Sequence, residues 1–222
     1  LSSNVGNFVA NNNTIIFNQT GPTGGTGIQA TPAGQPDNSI LIQNNTFSFG
    51  EFSSTATFFL INCNGAKANN VTVTGNSTVG NIVRTGATGQ LTCYTHTGGT
   101  STGGIHLVSN NNFSNIELGG SGIFVGIDCR SNSNNLQTNI VTNNTISNII
   151  AGGQVKGILQ SYGAAGSSIN NNSISVLINT NGSTGTNNTV NGIMIGSNGA
   201  SLSFTCYNNS ISELRGAGPV YG

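Results

Sequence analysis

Apolar residues along this chain come in short alternating runs, each bounded by clusters of Asn, Gly, Ser or Thr. SILIQ (39 to 43), VTVT (71 to 74), IHLVS (105 to 109) and TNIVT (138 to 142) are of this kind. Runs this short, rich in Val, Ile and Thr, predict strands. A second run follows at once, after a pair of amides, as in VTNNTISNII (141 to 150). There Val141 closes one strand, Asn143 and Asn144 make a corner, and Ile146 and Ile149 face the next apolar layer. A third run comes about fifteen residues later and often opens on Gly: GIQA (27 to 30), GQLTC (89 to 93), GIDC (126 to 129), GILQ (157 to 160) and GIMI (192 to 195). Loops such as TGPTGGTG and TNGSTGTNN separate them. No segment sustains a helical period, and good helix formers are sparse.

The amide-led word repeats seven times: NNTIIFN from Asn12, NNTFSFG from Asn44, NSTVGNI from Asn76, NNNFSNI from Asn110, NNTISNI from Asn143, NNSISVL from Asn171 and NNSISEL from Asn208. Successive spacings are 32, 32, 34, 33, 28 and 37 residues. The fourth place of the word is apolar throughout: Ile15, Phe47, Val79, Phe113, Ile146, Ile174 and Ile211. The seventh is aliphatic in the last five, at Ile82, Ile116, Ile149, Leu177 and Leu214. Three short strands every ~33 residues predict an all-β parallel solenoid of about seven coils, with like strands stacked about 4.8 Å apart. Propeller blades need four strands and roughly 40 to 50 residues, and leucine-rich repeats are shorter. In a solenoid like residues stack on themselves, so the lead amides, Asn12, Asn44, Asn76, Asn110, Asn143, Asn171 and Asn208, are expected to form a coil-to-coil ladder.

Composition suits that geometry. Charged residues make up 5% of the chain and net charge is zero, whereas Asn alone numbers 37. Stacked charges would repel, and stacked amides bond. Five scattered Lys and Arg residues do not make a nucleic-acid footprint. No apolar run reaches the roughly 18 to 20 residues that span a bilayer. The opening LSSNVGNFVA has neither Met nor a basic segment, so residues 1–222 are read as one β-helix segment, an internal or processed piece of a longer chain.

The words NNTISNI and NNSIS, followed by a GI-type strand, resemble right-handed parallel β-helix repeats of secreted bacterial proteins. They are most similar to the Asn/Gly/Ser/Thr-rich surface proteins that Bacteroidota export by type IX secretion. The resemblance covers essentially the whole chain, and it implies a right-handed parallel β-helix on the cell surface. It is specific for fold rather than function, because lyases, pectinases, tailspikes, adhesins and passive stalks share this fold. The C-terminal sorting domain of such exported proteins is not visible.

Candidate chemistry is thin. Family lyases and hydrolases depend on clustered acids, and this chain has Asp37, Glu51, Glu117, Asp128 and Glu213. Glu51 and Glu117 occupy the same repeat place with Val83 between them, which sets them two coils, about 9 to 10 Å, apart. That is near the upper end for an inverting glycosidase pair, although two solvated loop carboxylates are the simpler expectation. Asp128 and Arg130 alternate with Cys129 and are expected to form a surface ion pair. His96 and His106 have no evident partner in sequence. Cys63, Cys93 and Cys129 each follow a third-strand aliphatic (Ile61, Leu91, Ile127) by two residues. They are expected to stack as buried thiols, with Cys206 remote from them. Eleven N-x-S/T sequons, at Asn12, Asn18, Asn44, Asn70, Asn76, Asn112, Asn143, Asn171, Asn181, Asn187 and Asn208, arise freely in such a composition, and those in the repeat word are expected to be buried in the ladder.

These readings favour an extracellular structural protein without catalysis, cofactor or metal. It would be the rod of a filament, stalk or adhesin, continuing end to end into a further segment or copy. The alternative is a polysaccharide-binding module using Tyr94, Tyr162, Tyr207 or Phe52, and a β-helix lyase or hydrolase comes third.

Overall fold

The computed structural model describes residues 7–30, 39–64, 68–86, 88–97, 104–130, 137–161, 166–182, 184–185, 188–196 and 204–222. Among them are twenty-two strands and no α-helix. Parallel strands build three sheets, each climbing the solenoid one coil at a time. The first sheet stacks Asn7–Asn11, Ser39–Gln43, Asn70–Thr74, Ile105–Ser109, Thr138–Thr142, Ser167–Asn170 and Phe204–Tyr207. The second runs from Thr14–Gln19 to Ser210–Arg215, and the third from Gly25–Gln29 to Val220–Tyr221. The seven ranks of the first sheet leave two terminal coils and five with a neighbour on each side. The fold is thus the parallel β-solenoid that the repeat predicts.

One asparagine of each pair makes the corner between the first and second sheets. Asn12, Asn44, Asn110, Asn143, Asn171 and Asn208 all sit at φ between 53° and 56°. Asn tolerates this left-handed region better than other non-glycine residues. In the third coil Gly75, at φ 66°, takes the same place. These residues point outward and are exposed, except for half-buried Gly75.

The other asparagine makes the ladder. It consists of Asn13, Asn45, Asn76, Asn111, Asn144, Asn172 and Asn209. The backbone N–H and Nδ2 of Asn111 both donate to Oδ1 of Asn144, at 3.1 and 2.9 Å. Asn144 donates in the same way to Oδ1 of Asn172, at 3.0 and 2.9 Å. Its Nδ2 also donates to the carbonyls of Val108 and Thr142, at 3.0 and 3.1 Å. Asn13 to Asn45, Asn45 to Asn76, Asn76 to Asn111 and Asn172 to Asn209 repeat the link. An amide oxygen accepting twice and an amide nitrogen donating at least twice leave no buried polar atom of the rung unused.

The expected ladder is therefore corrected by one residue. Of Asn12, Asn44, Asn76, Asn110, Asn143, Asn171 and Asn208, only Asn76 is a rung. The rest bend the chain, because a left-handed residue turns its own side chain out of the stack. The sequons at Asn12, Asn44, Asn143, Asn171 and Asn208 consequently have exposed acceptors.

Offsetting the third word by one residue also moves its apolar place. Ile15, Phe47, Phe113, Ile146, Ile174 and Ile211 lie in one column, with Thr78 rather than Val79 between Phe47 and Phe113. Val79 is 52% exposed. One extra residue between Thr78 and Ile82 restores the register, so that Ile82, Ile116, Ile149, Leu177 and Leu214 form a second column.

Both apolar columns face inward although they are three residues apart, which a regular strand of period two forbids. A second left-handed position resolves the phase. Gly80 serves the third coil, and Asn115, Asn148, Val176 and Glu213 follow, with φ between 53° and 61° at these four. Outside, Nδ2 of Asn148 donates to Oδ1 of Asn115 at 2.8 Å. Val176 is the misfit, since a β-branched residue is strained there by roughly 1 to 2 kcal/mol. Val176→Asn is expected to raise stability by about 1 kcal/mol, read as a higher urea midpoint at unchanged slope.

In the third sheet, Gly27, Leu60, Cys93, Gly126, Gly157 and Gly192 share one level. A Cβ on Gly157 would lie 2.4 Å from the Gly192 carbonyl, so close passage of neighbouring coils explains the GI words. Gly89 of GQLTC is not in this column. It precedes the strand Gln90–Thr95 at φ 97°.

Candidate functional site

The most chemically distinctive place in the molecule lies where the third sheet turns into the first. Leu91 pairs with Phe58 and Phe124, and Tyr94 pairs with Ile61 and Ile127. The third coil is therefore offset by three residues from the alignment that placed Leu91 beside Ile61 and Ile127. Tyr94 fills an isoleucine column and is fully buried. His96 stands in the next inward column, between Cys63 and Cys129. The Cys63 N–H donates to the Thr95 carbonyl at 2.9 Å and the His96 N–H to the Asp128 carbonyl at 2.8 Å.

This corrects the expected stack of Cys63, Cys93 and Cys129. Cys63 and Cys129 share a column with His96, whereas Cys93 lies at the level of Leu60 and Gly126. Both Leu91 and Tyr94 are apolar enough to fit the column, and only the strand register distinguishes them. All four cysteines are free, with Cys206 exposed. Burial pushes the Cys63 thiol up to about 12, against a smaller opposing effect of a hydrogen bond with Tyr94. Burial likewise raises Cys93 and Cys129, the latter with a further push from Asp128. Thiols held protonated and out of water react slowly. Native protein with excess maleimide at pH 7.5 is expected to gain one label, at Cys206, and four after denaturation. Intact mass with peptide mapping checks this.

Across the corner from Tyr94 stands His106, on the first sheet of the next coil. The Tyr94 hydroxyl is 2.5 Å from His106 Nε2, and Nδ1 is 3.0 Å from Oδ1 of Asn139. With an amide oxygen accepting at Nδ1, that nitrogen carries the proton and Nε2 accepts from the phenol. The ring is neutral. His96 and His106 meet edge to face with centroids 4.7 Å apart, and both are 1% exposed. Burial first, then the neighbouring His96, holds His106 well below the ordinary imidazole range, while the Asn139 bond opposes the shift. Burial pushes the Tyr94 phenol well up.

The sequence gives no local sign of this cluster. Twelve residues and a sheet boundary separate Tyr94 from His106. Correct stacking of Tyr94 on Ile61 and Ile127 would have revealed it. Among the described residues, no three His, Cys, Asp or Glu side chains are placed to hold a metal ion.

Of the remaining candidates, Arg130, Glu51, Glu117 and Glu213 are exposed, whereas Asp128 is buried at 4% exposure, which corrects the expected surface ion pair. Asp128 and Arg130 form a two-pronged ion pair, Nη2 to Oδ2 at 2.7 Å and Nε to Oδ1 at 2.8 Å. Cys129 between them points into the core. Lys156 lies close enough to feel both, and burial is the main cause of its lowered pKa. Glu117 pairs with Val83. The Thr85 N–H to Phe52 carbonyl bond of 3.1 Å puts Glu51 on Val83's other side. Both glutamates are exposed, and they border separate shallow grooves of about 100 and 370 Å³ that share Val83. Glu213 is exposed and 3.4 Å from Arg215.

Of the aromatics considered for glycan binding, Phe52 and Tyr94 are buried and Tyr207 is 49% exposed. Asp37, Tyr162 and Asn187 lie outside the described residues. No family model, curated protein or solved structure matches this chain.

Proposed function

We propose that this chain is a structural rod segment of an extracellular surface protein, the shaft of a filament, stalk or adhesin, and that it works without catalysis or cofactor. The observation that carries this reading is the amide ladder, which runs through every coil from Asn13 to Asn209. Such a row adds coils at constant geometry, which suits a part whose job is length and stiffness. Each internal rung accepts from the coil before it and donates to the coil after it, so the same link would join a further coil, from a longer chain or a second copy, and cover strand edges. The similarity of the repeat words to exported Bacteroidota surface proteins supports the extracellular placement.

Electron microscopy of native protein tests the reading. Rods or filaments with an axial period near seven strand spacings, about 34 Å, are expected. Uniform short particles of single-chain mass at all concentrations would overturn end-to-end assembly.

A second reading, a carbohydrate-binding module, draws support from Tyr207 and Tyr221. They border open grooves of about 470 and 560 Å³ beside Ile193 and Ile195. Binding to a glycan array that disappears with Tyr207→Ala and Tyr221→Ala would favour it. A lyase or hydrolase role has less support, because Glu51 and Glu117 are exposed and border separate shallow grooves rather than one cleft.

A further inference from the structure

We propose that Tyr94, His106 and Asn139 form an acid-operated latch that holds the third sheet to the first between the third and fourth coils. Three hydrogen-bonding groups from three strands meet there: Tyr94 on Gln90–Thr95, His106 on Ile105–Ser109 and Asn139 on Thr138–Thr142. The bonds cross the corner, so they join sheets that the strand ladders do not join. The latch works only with a neutral ring, because Nε2 must accept the phenol proton.

Among the described residues, every group facing the ring is neutral or positive when protonated. On the third-sheet side stand Tyr94 and His96, on the first sheet Asn139 above and Val71 below. Cys63 and Cys129 lie behind Tyr94 as protonated thiols, and the Asp128 carboxylate is engaged by Arg130. Protonated His106 would turn Nε2 into a donor, so the phenol would have to redirect its own proton toward Cys63. The new charge would still be buried beside a second imidazole. Opening the corner relieves this by admitting water.

The sign follows from linkage. His106 is depressed in the closed state and has an ordinary pKa of about 6.5 when open. Above that pH neither state takes a proton and the latch has its full strength. Below it the open state binds a proton that the closed state refuses, so closure weakens as pH falls.

Hydrogen exchange with mass spectrometry, at pH 7.5 and 4.5 and corrected for intrinsic rates, tests the latch. Exchange in Gln90–Thr95 and Ile105–Ser109 is expected to rise at least tenfold at pH 4.5 and to return on neutralisation. Ser173–Asn179 is expected to stay unchanged, and His106→Gln is expected to remove the pH response. Equal corrected rates at both pH values, a uniform rise in all strands, or a response that survives His106→Gln would each overturn the proposal. If that variant does not fold, the wild-type His106 Cε1 resonance decides. A shift that tracks the opening supports the latch, and one that stays flat through it overturns it.

Discussion

Asn144→Ala is expected to lower the unfolding free energy by about 3 to 5 kcal/mol, whereas Asn143→Ala, one residue earlier, costs about 1 kcal/mol. The difference arises from what each amide does. Removing the Asn144 side chain takes the shared acceptor from the Asn111 N–H and Nδ2 and a donor from the Val108 carbonyl. These groups are sealed among stacked coils, and a buried polar group left unpaired costs roughly 1 to 3 kcal/mol. Asn143 is exposed and contributes its tolerance of φ 56°. Asn143→Gly should therefore be near neutral. Urea unfolding of the three variants checks the order, and similar losses for Asn143→Ala and Asn144→Ala would refute this division of labour.

Arg84→Ala is expected to cost about 3 kcal/mol or more, an unusual result for a cation with no acidic partner among the described residues. Arg84 occupies a core column of the second sheet, level with Leu118, and is fully buried. Its Nη2 donates to the carbonyls of Thr88 and Gly89 at 2.7 and 2.6 Å. Its guanidinium carbon lies 5.6 Å from the Phe52 ring centre, a cation–π contact. Truncation leaves both a cavity and two loop carbonyls without a donor. Relief from burying a charge, whose cost shows in a pKa lowered by desolvation, offsets part of the loss. Arg84→Lys keeps the charge but loses the planar fork and should fall between wild type and alanine. Thermal unfolding monitored by circular dichroism gives the comparison.

The period was legible because each coil must present a corner, an apolar layer and a close glycine passage in the same order. What the sequence conceals is phase within that period. Two adjacent asparagines are chemically identical, and only backbone dihedral angles assign one to the bend and the other to the rung. The third coil confuses the count further. Gly75 replaces the bending amide, and the extra residue before Ile82 compensates, so Asn76 and Val79 align by spacing but not by place. Leu91 and Tyr94 pose the same difficulty on the third sheet, and misplacing them hides the meeting of Tyr94 with His106. Arg84 was not legible at all. Nothing in IVR says that its guanidinium turns inward to bond the carbonyls of the following turn.

The rungs all point one way, and that gives an uncharged molecule an electrical axis. From rung to rung each amide donates to the Oδ1 of the next, C-terminal coil while its second N–H returns to a carbonyl of the preceding one, so the aligned C=O groups add in series as peptide dipoles do along a helix. Mutual polarisation strengthens the row. The row presents oxygen toward its N-terminal side and N–H toward its C-terminal side, so it carries a dipole in a chain whose formal net charge is zero. Two such rods lying side by side would favour opposite directions, because only then does each negative tip lie beside a positive one.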